Sequence, residues 1–290
     1  MKKKFSINAS ILGVLLAFAA LWLGSCKDKA TVEPGVSAKC RVASIKVDFF
    51  QPNNGQIFST ASANYEYNAD LKVTKIASTN AVSSLGIVGN SNETANYLTA
   101  NKVTITKTGT TTIGGQTTNE NSTETVDLNA SGYASKSVVQ VLNSPSKNET
   151  NTYTYNADGR LDKRVLLVMN TTTTTNYTYN GGNLIKEVDN EGTTIEYTYF
   201  MDKTNPSTGV GFGDSEGSTS AFYKVGKGST NLLKSFKTYD AGTPAQFTTA
   251  NFAYTFNAKN VPTKVMLSFA DETGVSEGSV NLTYTLDQCD

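Results

Sequence analysis

Three cysteines and a few clustered carboxylates are the side chains of this sequence whose types can do chemistry. Histidine is absent from all 290 residues. That removes Ser-His-Asp and Cys-His nucleophile systems and the common zinc hydrolase sites. Paired carboxylates can cleave glycosidic bonds, and Asp271, Glu272 and Glu277 lie close together. They surround Asp271-Glu272-Thr273-Gly274, which reads as a turn, so a solvated loop accounts for them. Oxygen ligands alone can hold calcium. Asp202, Asp214 and Glu216 share one segment but lack the spacing of an EF-hand loop. Gly209-Val210-Gly211-Phe212-Gly213 is not a phosphate loop, because no Lys-Ser/Thr pair follows it at the required spacing. The expectation is a protein that is not an enzyme, with no catalytic residue, no cofactor and no metal.

Cys26 has a different chemistry. Lys2, Lys3 and Lys4 form a basic start, Ile11 to Leu23 an apolar core, and small residues precede the thiol. Leu23-Gly24-Ser25-Cys26 resembles a bacterial lipobox, in which the cysteine is acylated and becomes the first residue of the mature chain. The apolar stretch is short for a membrane span. Acylation puts more than one chain on a single residue, which suffices for stable anchoring. Residues 1–25 are then a lipoprotein signal peptide, and residues 26–40 a lipidated cysteine and tether. Residues 41–290 are a single all-β domain. Position 27 is Lys, so an Asp retention signal after the cysteine is absent. Lys27-Asp28 followed by Lys29 only partly matches an acidic surface-export signal. The expected location is the outer membrane, at the cell surface or the periplasmic face.

Cys40 opens the globular part and Cys289 nearly ends it. An oxidising compartment makes a disulfide between them reasonable. So long a closed loop gives about 4–5 kcal/mol in the chain-entropy model. Two free thiols are the alternative. Without Lys2, Lys3 and Lys4, the balance of 25 basic and 25 acidic residues becomes 22 against 25. That balance argues against nucleic acid as a partner.

The elements that position these residues repeat. Tyr153-Thr154-Tyr155-Asn156-Ala157-Asp158-Gly159-Arg160-Leu161 places two tyrosines on one strand face, then a turn whose Gly supplies the positive φ. Folding there pairs Tyr155 with Leu161 and Tyr153 with Lys163. Tyr153, Tyr155, Leu161 and Val165 then share a face, and the Lys163 stem can lie across Tyr153. The same grammar recurs from Tyr65, Val126, Tyr177 and Tyr254. Leu71 and Asn260 take the Gly position in two copies, and Pro262 marks an edge or a bulge. A sixth copy is split: Tyr197-Thr198-Tyr199 begins it, and Asn231 to Phe236 completes it after some thirty residues.

Tyr153 to Leu161 is similar to the YD repeat of RHS-type proteins, with Asn156 where Asp is usual. With its N-terminus, the chain looks like Bacteroidetes-type lipoproteins of uncharacterised function that carry such hairpins. The resemblance spans most of residues 60 to 286 and implies architecture, with no activity attached.

Strands are expected over residues 42–50 and 57–67, and across Lys102–Thr108 and Ser122–Leu128 joined by a polar loop from Gly109 to Asn121. A last hairpin covers 262–270 and 279–286. Residues 78–100 read as a short helix or a loop. The fold class is all-β: an antiparallel meander of roughly twelve to fourteen strands, curled or barrel-like because so large a sheet does not stay flat. The insertion from Met201 to Thr230 carries Phe212, Phe222 and Tyr223. These rings can stack on a sugar or a partner, or pack on the sheet. The expected work is binding or scaffolding in the cell envelope, with the membrane as one partner through the lipid anchor and a glycan or an envelope protein as another. The alternative is a carbohydrate-binding surface lipoprotein that uses residues 201–230.

Overall fold

The computed structural model describes residues 41–52, 54–205 and 221–287. They form sixteen antiparallel strands. In chain order these are β1 (Arg41–Phe50), β2 (Ile57–Tyr67), β3 (Val73–Val82), β4 (Ile87–Thr99), β5 (Lys102–Ile113), β6 (Gln116–Leu128), β7 (Ala134–Val141) and β8 (Glu149–Tyr155). There follow β9 (Leu161–Val168), β10 (Thr171–Asn180), β11 (Asn183–Asp189), β12 (Thr193–Thr204), β13 (Asn231–Asp240), β14 (Phe247–Phe256), β15 (Pro262–Asp271) and β16 (Ser276–Asp287). Each strand pairs with its neighbours in sequence, and β1 pairs with β16 to close a barrel. Closure removes every free edge.

The meander holds more strands than the sequence suggested, because polar stretches also pair. Residues 109–121 are strand except for the Gly114-Gly115 turn, and β5 and β6 stay in register from Lys102↔Asp127 to Ile113↔Gln116. The Thr run 171–175 belongs to β10 and pairs with β9 across Met169-Asn170, both at positive φ. Residues 87–99, expected as helix or loop, are β4. The only helical pieces among the described residues are the single 3₁₀ turns Ser83–Leu85 and Pro145–Lys147. Thr and Asn runs carry little hydrophobic alternation, yet β-branched Thr suits a strand with one wet face.

The repeated hairpins all turn at one end of the barrel, here the near rim. The chain enters β1 and leaves β16 at the same end. In four copies the Asn side chain builds the turn. Asn68, Asn129, Asn156 and Asn257 each accept two backbone N–H groups through Oδ1, from residues two and four positions on. This is the local hydrogen bonding that favours Asn and Asp at turns. The left-handed position holds Gly132 and Gly159, and also Leu71 at φ 62° and Asn260 at φ 58°.

A β-bulge follows each of these turns, and it corrects the expected pairing. Tyr155 faces Leu161 as read from the sequence, but Thr154 then faces Lys163, and Tyr153 faces Arg164. Tyr177 likewise faces Glu187, while Thr178 faces Lys186. The extra residue returns the strand to the lumen one position late. Lys163 therefore lies outside, away from Tyr153, and Arg164 points inward in place of Val165. Pro262 does sit at a bulge, opposite Phe256. The two halves of the split copy do pair, and a bulge sets Tyr199 against Leu233 and Tyr197 against Phe236.

The bulges explain the tyrosines. Tyr67 donates its hydroxyl to the Val42 carbonyl at 2.7 Å, Tyr97 to Val73 at 2.8 Å, and Tyr254 to Leu233 at 2.8 Å. Tyr155 donates to the Ala134 carbonyl in the same way. Each acceptor is the residue before the bulged position of the preceding odd-numbered strand. A bulge leaves a backbone group out of the ladder, and the tyrosine of the next strand pair satisfies it. The rings and the aliphatic inner face, including Leu161 and Leu184 at 0 % exposure, make one core around the near half of the lumen.

Losing such a hydroxyl leaves a buried carbonyl without its donor, which costs about 1–3 kcal/mol. Tyr254→Phe should lower unfolding stability by that amount in a denaturant titration. Tyr239→Phe removes a bond to Glu196 on the outer wall and should shift the midpoint far less. Equal shifts would remove the bulge-locking role.

Candidate functional site

The near rim gathers the repeat turns and the described end of the long insertion. β12 ends at it and β13 starts from it, and the described part of the connection between them near β13, Ala221–Thr230, runs across the turns of three successive repeats. Ala134 N–H donates to the Lys224 carbonyl at 2.8 Å, Lys227 N–H to Gly159 at 2.9 Å, and Thr230 N–H to Gly182 at 3.1 Å. Arg160 Nη1 reaches the Gly228 carbonyl at 2.7 Å, and Leu184 N–H donates to Ser229 Oγ at 3.0 Å. Asn183 and Asn231 complete the strap with reciprocal bonds of 3.0 and 2.9 Å. Gly226 is required here: φ is 88°, and a Cβ would sit 3.0 Å from Leu161 N and 3.2 Å from the Gly159 carbonyl.

The front of this strap fills the lumen. Phe222 is 3 % exposed and Tyr223 5 %, and both join the main core with Ala221 and Val225. The Phe222 carbonyl lies 3.0 Å from the Tyr97 hydroxyl and shares its single proton with the Val73 carbonyl. Tyr223 donates to Glu124 Oε1 at 2.7 Å. These two rings therefore offer no free face to a sugar, and of the two uses the sequence left open they take the packing one. Phe212 lies outside the described residues, as do Asp214, Glu216 and the cysteines Cys26, Cys40 and Cys289. No sequence signal marked the strap as a plug. The Ala221-Phe222-Tyr223 cluster was the available hint, and it fits a core as well as a platform.

Below the plug the lumen becomes polar, and several of its charges are partnered. Lys107 pairs with Glu93 at 3.0 Å. Arg164 Nε donates to Asn151 Oδ1 at 2.9 Å, and Asn151 reaches Ser137 at 3.3 Å. Tyr197 donates to Glu187 at 2.8 Å. Burial raises the Glu124 carboxyl above its ordinary range, and the Tyr223 hydroxyl only partly offsets this. The far-rim carboxylates are occupied by structure. Asp271 Oδ1 accepts from the backbone of Thr273 and Val275 and from the Thr273 hydroxyl, and these bonds hold its carboxyl below the usual range. Glu277 bonds Thr248 at 3.4 Å, and partial burial raises its carboxyl. No group of three His, Cys, Asp or Glu side chains able to hold a metal occurs among the described residues. Between the turns at 156–160 and 181–182 lies a groove of about 580 Å³, lined by Asp158, Arg160, Tyr179 and Lys227 among others.

The outer wall is the least expected surface. Register and burial put Thr104, Thr106, Thr108, Thr110 and Thr112 of β5 outside, and Asn119, Asn121, Thr123 and Thr125 of β6 beside them. Thr150, Thr152 and Thr154 of β8, Thr172, Thr174, Asn176 and Thr178 of β10, and Asn281, Thr283 and Thr285 of β16 continue it. Large exposed apolar residues such as Leu98, Leu142, Met169, Met201 and Val275 are scattered, mostly near the rims. A barrel embedded in lipid carries an outward apolar band about 25 Å tall between aromatic girdles, around a polar interior. Here the wall is polar, and the apolar side chains fill the near half of the lumen.

The fold has solved counterparts. A porin-like protein from Bacteroides uniformis superposes with a TM-score of 0.57 at 14 % identity, over 85 % of this chain and 98 % of that one. A porin-like protein from Bacteroides vulgatus matches at 13 % identity over 84 % and 98 % of the two chains, with a TM-score of 0.37. No family model and no curated protein matches. The likeness to the Bacteroides uniformis protein shows a shared fold.

Gly226→Ala should unseat the strap and lower stability by roughly 1–3 kcal/mol. Gly274→Ala, at φ 81° with nothing within 4 Å of its Cβ, carries only the backbone penalty. A larger loss at position 226 in parallel thermal melts is the expected result, and matching losses would mean that the strap adds nothing.

Proposed function

We propose that this chain is a lipid-anchored protein of the outer membrane, not an enzyme, whose barrel stands in water and serves binding or scaffolding. The observation that carries this reading is the outer wall. Threonine and asparagine in place of an apolar band cannot replace lipid contacts, since buried polar groups without partners cost several kcal/mol each. A barrel with that wall needs a separate means of attachment, and the sequence supplies one in Cys26. The plug agrees with it, because a lumen filled by Phe222 and Tyr223 is poorly suited to conduct solutes. Glycan capture by the insertion loses two of its three platform rings to the core.

The strands also bring the remaining thiols into the argument. Arg41 and Asp287 face each other at the β1–β16 seam and form a 2.9 Å ion pair. Cys40 and Cys289 lie one and two residues beyond that pair in sequence, which supports a disulfide across the seam.

Two measurements test this reading. Cys26→Ser should stop fatty-acid labelling and move the protein into the fraction released by a high-salt wash. The mature Cys26→Ser protein should stay soluble and monodisperse without detergent. A barrel that needs detergent would overturn the water-standing reading, and unchanged labelling would overturn the anchor. Peptide mapping of the oxidised protein should find Cys40 linked to Cys289, and free thiols at both positions would remove the bridge.

A further inference from the structure

Charge divides along the barrel axis. The near rim can be taken as its turns, the strap 221–230, and the three strand residues next to them. Among the described residues it holds twelve Lys and Arg against seven Asp and Glu. The far rim, taken in the same way, holds one basic residue, Lys147, against nine acidic ones. The whole chain is neutral, so the sequence total hides this separation.

The near-rim cations are presented outward. Lys72, Lys136, Lys163, Lys227, Lys259 and Lys264 are all exposed. Three of the seven rim acids are already matched by a neighbouring cation, in Arg41–Asp287, Lys75–Glu66 and Lys102–Asp127. The excess positive charge is therefore exposed around this barrel end, on its turns and on the wall beside them. The chain enters β1 and leaves β16 at this same rim.

We propose that the near rim is a docking surface for an anionic phospholipid bilayer. This orientation rests on the anchor reading for its biological setting, but the surface itself does not require acylation. A membrane carrying anionic lipids attracts basic residues within about one Debye length of its surface. A bilayer offers the broad, flat, negative plane that a ring of lysines on several turns can meet at once. Acyl chains would hold the protein to the membrane, and the rim would set which end faces it. The acidic far rim then points away, kept there by the same field.

The probe is the mature Cys26→Ser chain mixed with sedimenting vesicles, either pure phosphatidylcholine or the same lipid with phosphatidylglycerol. Binding should appear only with the anionic vesicles and should vanish in high salt. Each lysine near the surface contributes roughly a factor of five in binding. The triple variant Lys72→Glu, Lys227→Glu and Lys259→Glu should therefore bind at least about tenfold more weakly. A waist variant, Lys46→Glu, Lys186→Glu and Lys237→Glu, makes the same change in net charge away from the rim and should keep most of the binding. Thermal melts of both variants check the fold. No binding to anionic vesicles, or equal losses in the two variants, overturns the proposal. If Cys26 proves acylated while the unacylated chain ignores vesicles, the rim proposal fails alone. If Cys26 is never acylated and the rim still binds, only the anchor fails.

Discussion

A strand in a closed sheet has two places for a side chain, the lumen or the wall, and it alternates between them. Everything else in this molecule follows from which set is apolar. Val, Leu, Ile, Phe and Tyr take the lumen in the near half, and Thr, Asn, Ser and Lys take the wall. The lumen is then too wide to be filled by the strands alone. The chain supplies Ala221, Phe222, Tyr223 and Val225 from one connection, and the strap behind them is held by backbone bonds to three turns. A core that needs a plug also needs the plug fixed, and the turn residues serve as its seat.

The bulges set the second level of order. Each shifts the strand by one residue and would leave a carbonyl without a partner near the core. On β1, β3, β7 and β13 a tyrosine of the next strand answers that need. The regular spacing of the tyrosines within this one chain meets a packing and hydrogen-bonding requirement. The asparagines do the same for the turns. The repeat is thus a kit for building one end of a barrel: Asn shapes the turn, a left-handed residue closes it, a bulge follows, and at four of the bulges a tyrosine hydroxyl of the next strand locks it.

Much of the fold was legible in the sequence, and the misses share a cause. The alternation of Tyr153, Tyr155 and Leu161 announces hairpins because the apolar set lies on one face. The split copy at Tyr197 and Asn231 was readable for the same reason. The Thr runs at 109–112 and 171–175 hid their strands, because a residue type that suits the wall recurs at lumen positions in the polar half. The bulge was invisible as a one-residue slip, so Lys163 and Arg164 exchanged sides. The burial of Phe222 and Tyr223 depends on the width of the lumen, and no local pattern states that width. The charge separation was likewise hidden, since it appears only when odd and even connections are sorted to opposite ends.

The seam between β1 and β16 has a consequence for how the molecule is made. Fifteen of the sixteen strand pairings join neighbours in sequence, and such local contacts form quickly. The last one joins Arg41 to Asp287, the two ends of the domain, and must wait for the whole chain. A protein exported from its N-terminus would reach the far side with β1 first and β16 last. Until β16 arrives, the growing meander is an open sheet with a bare edge and an apolar inner face. Its safety during export then rests on how fast the final strand closes the ring, and a shortened C-terminus would hold every molecule in that open state.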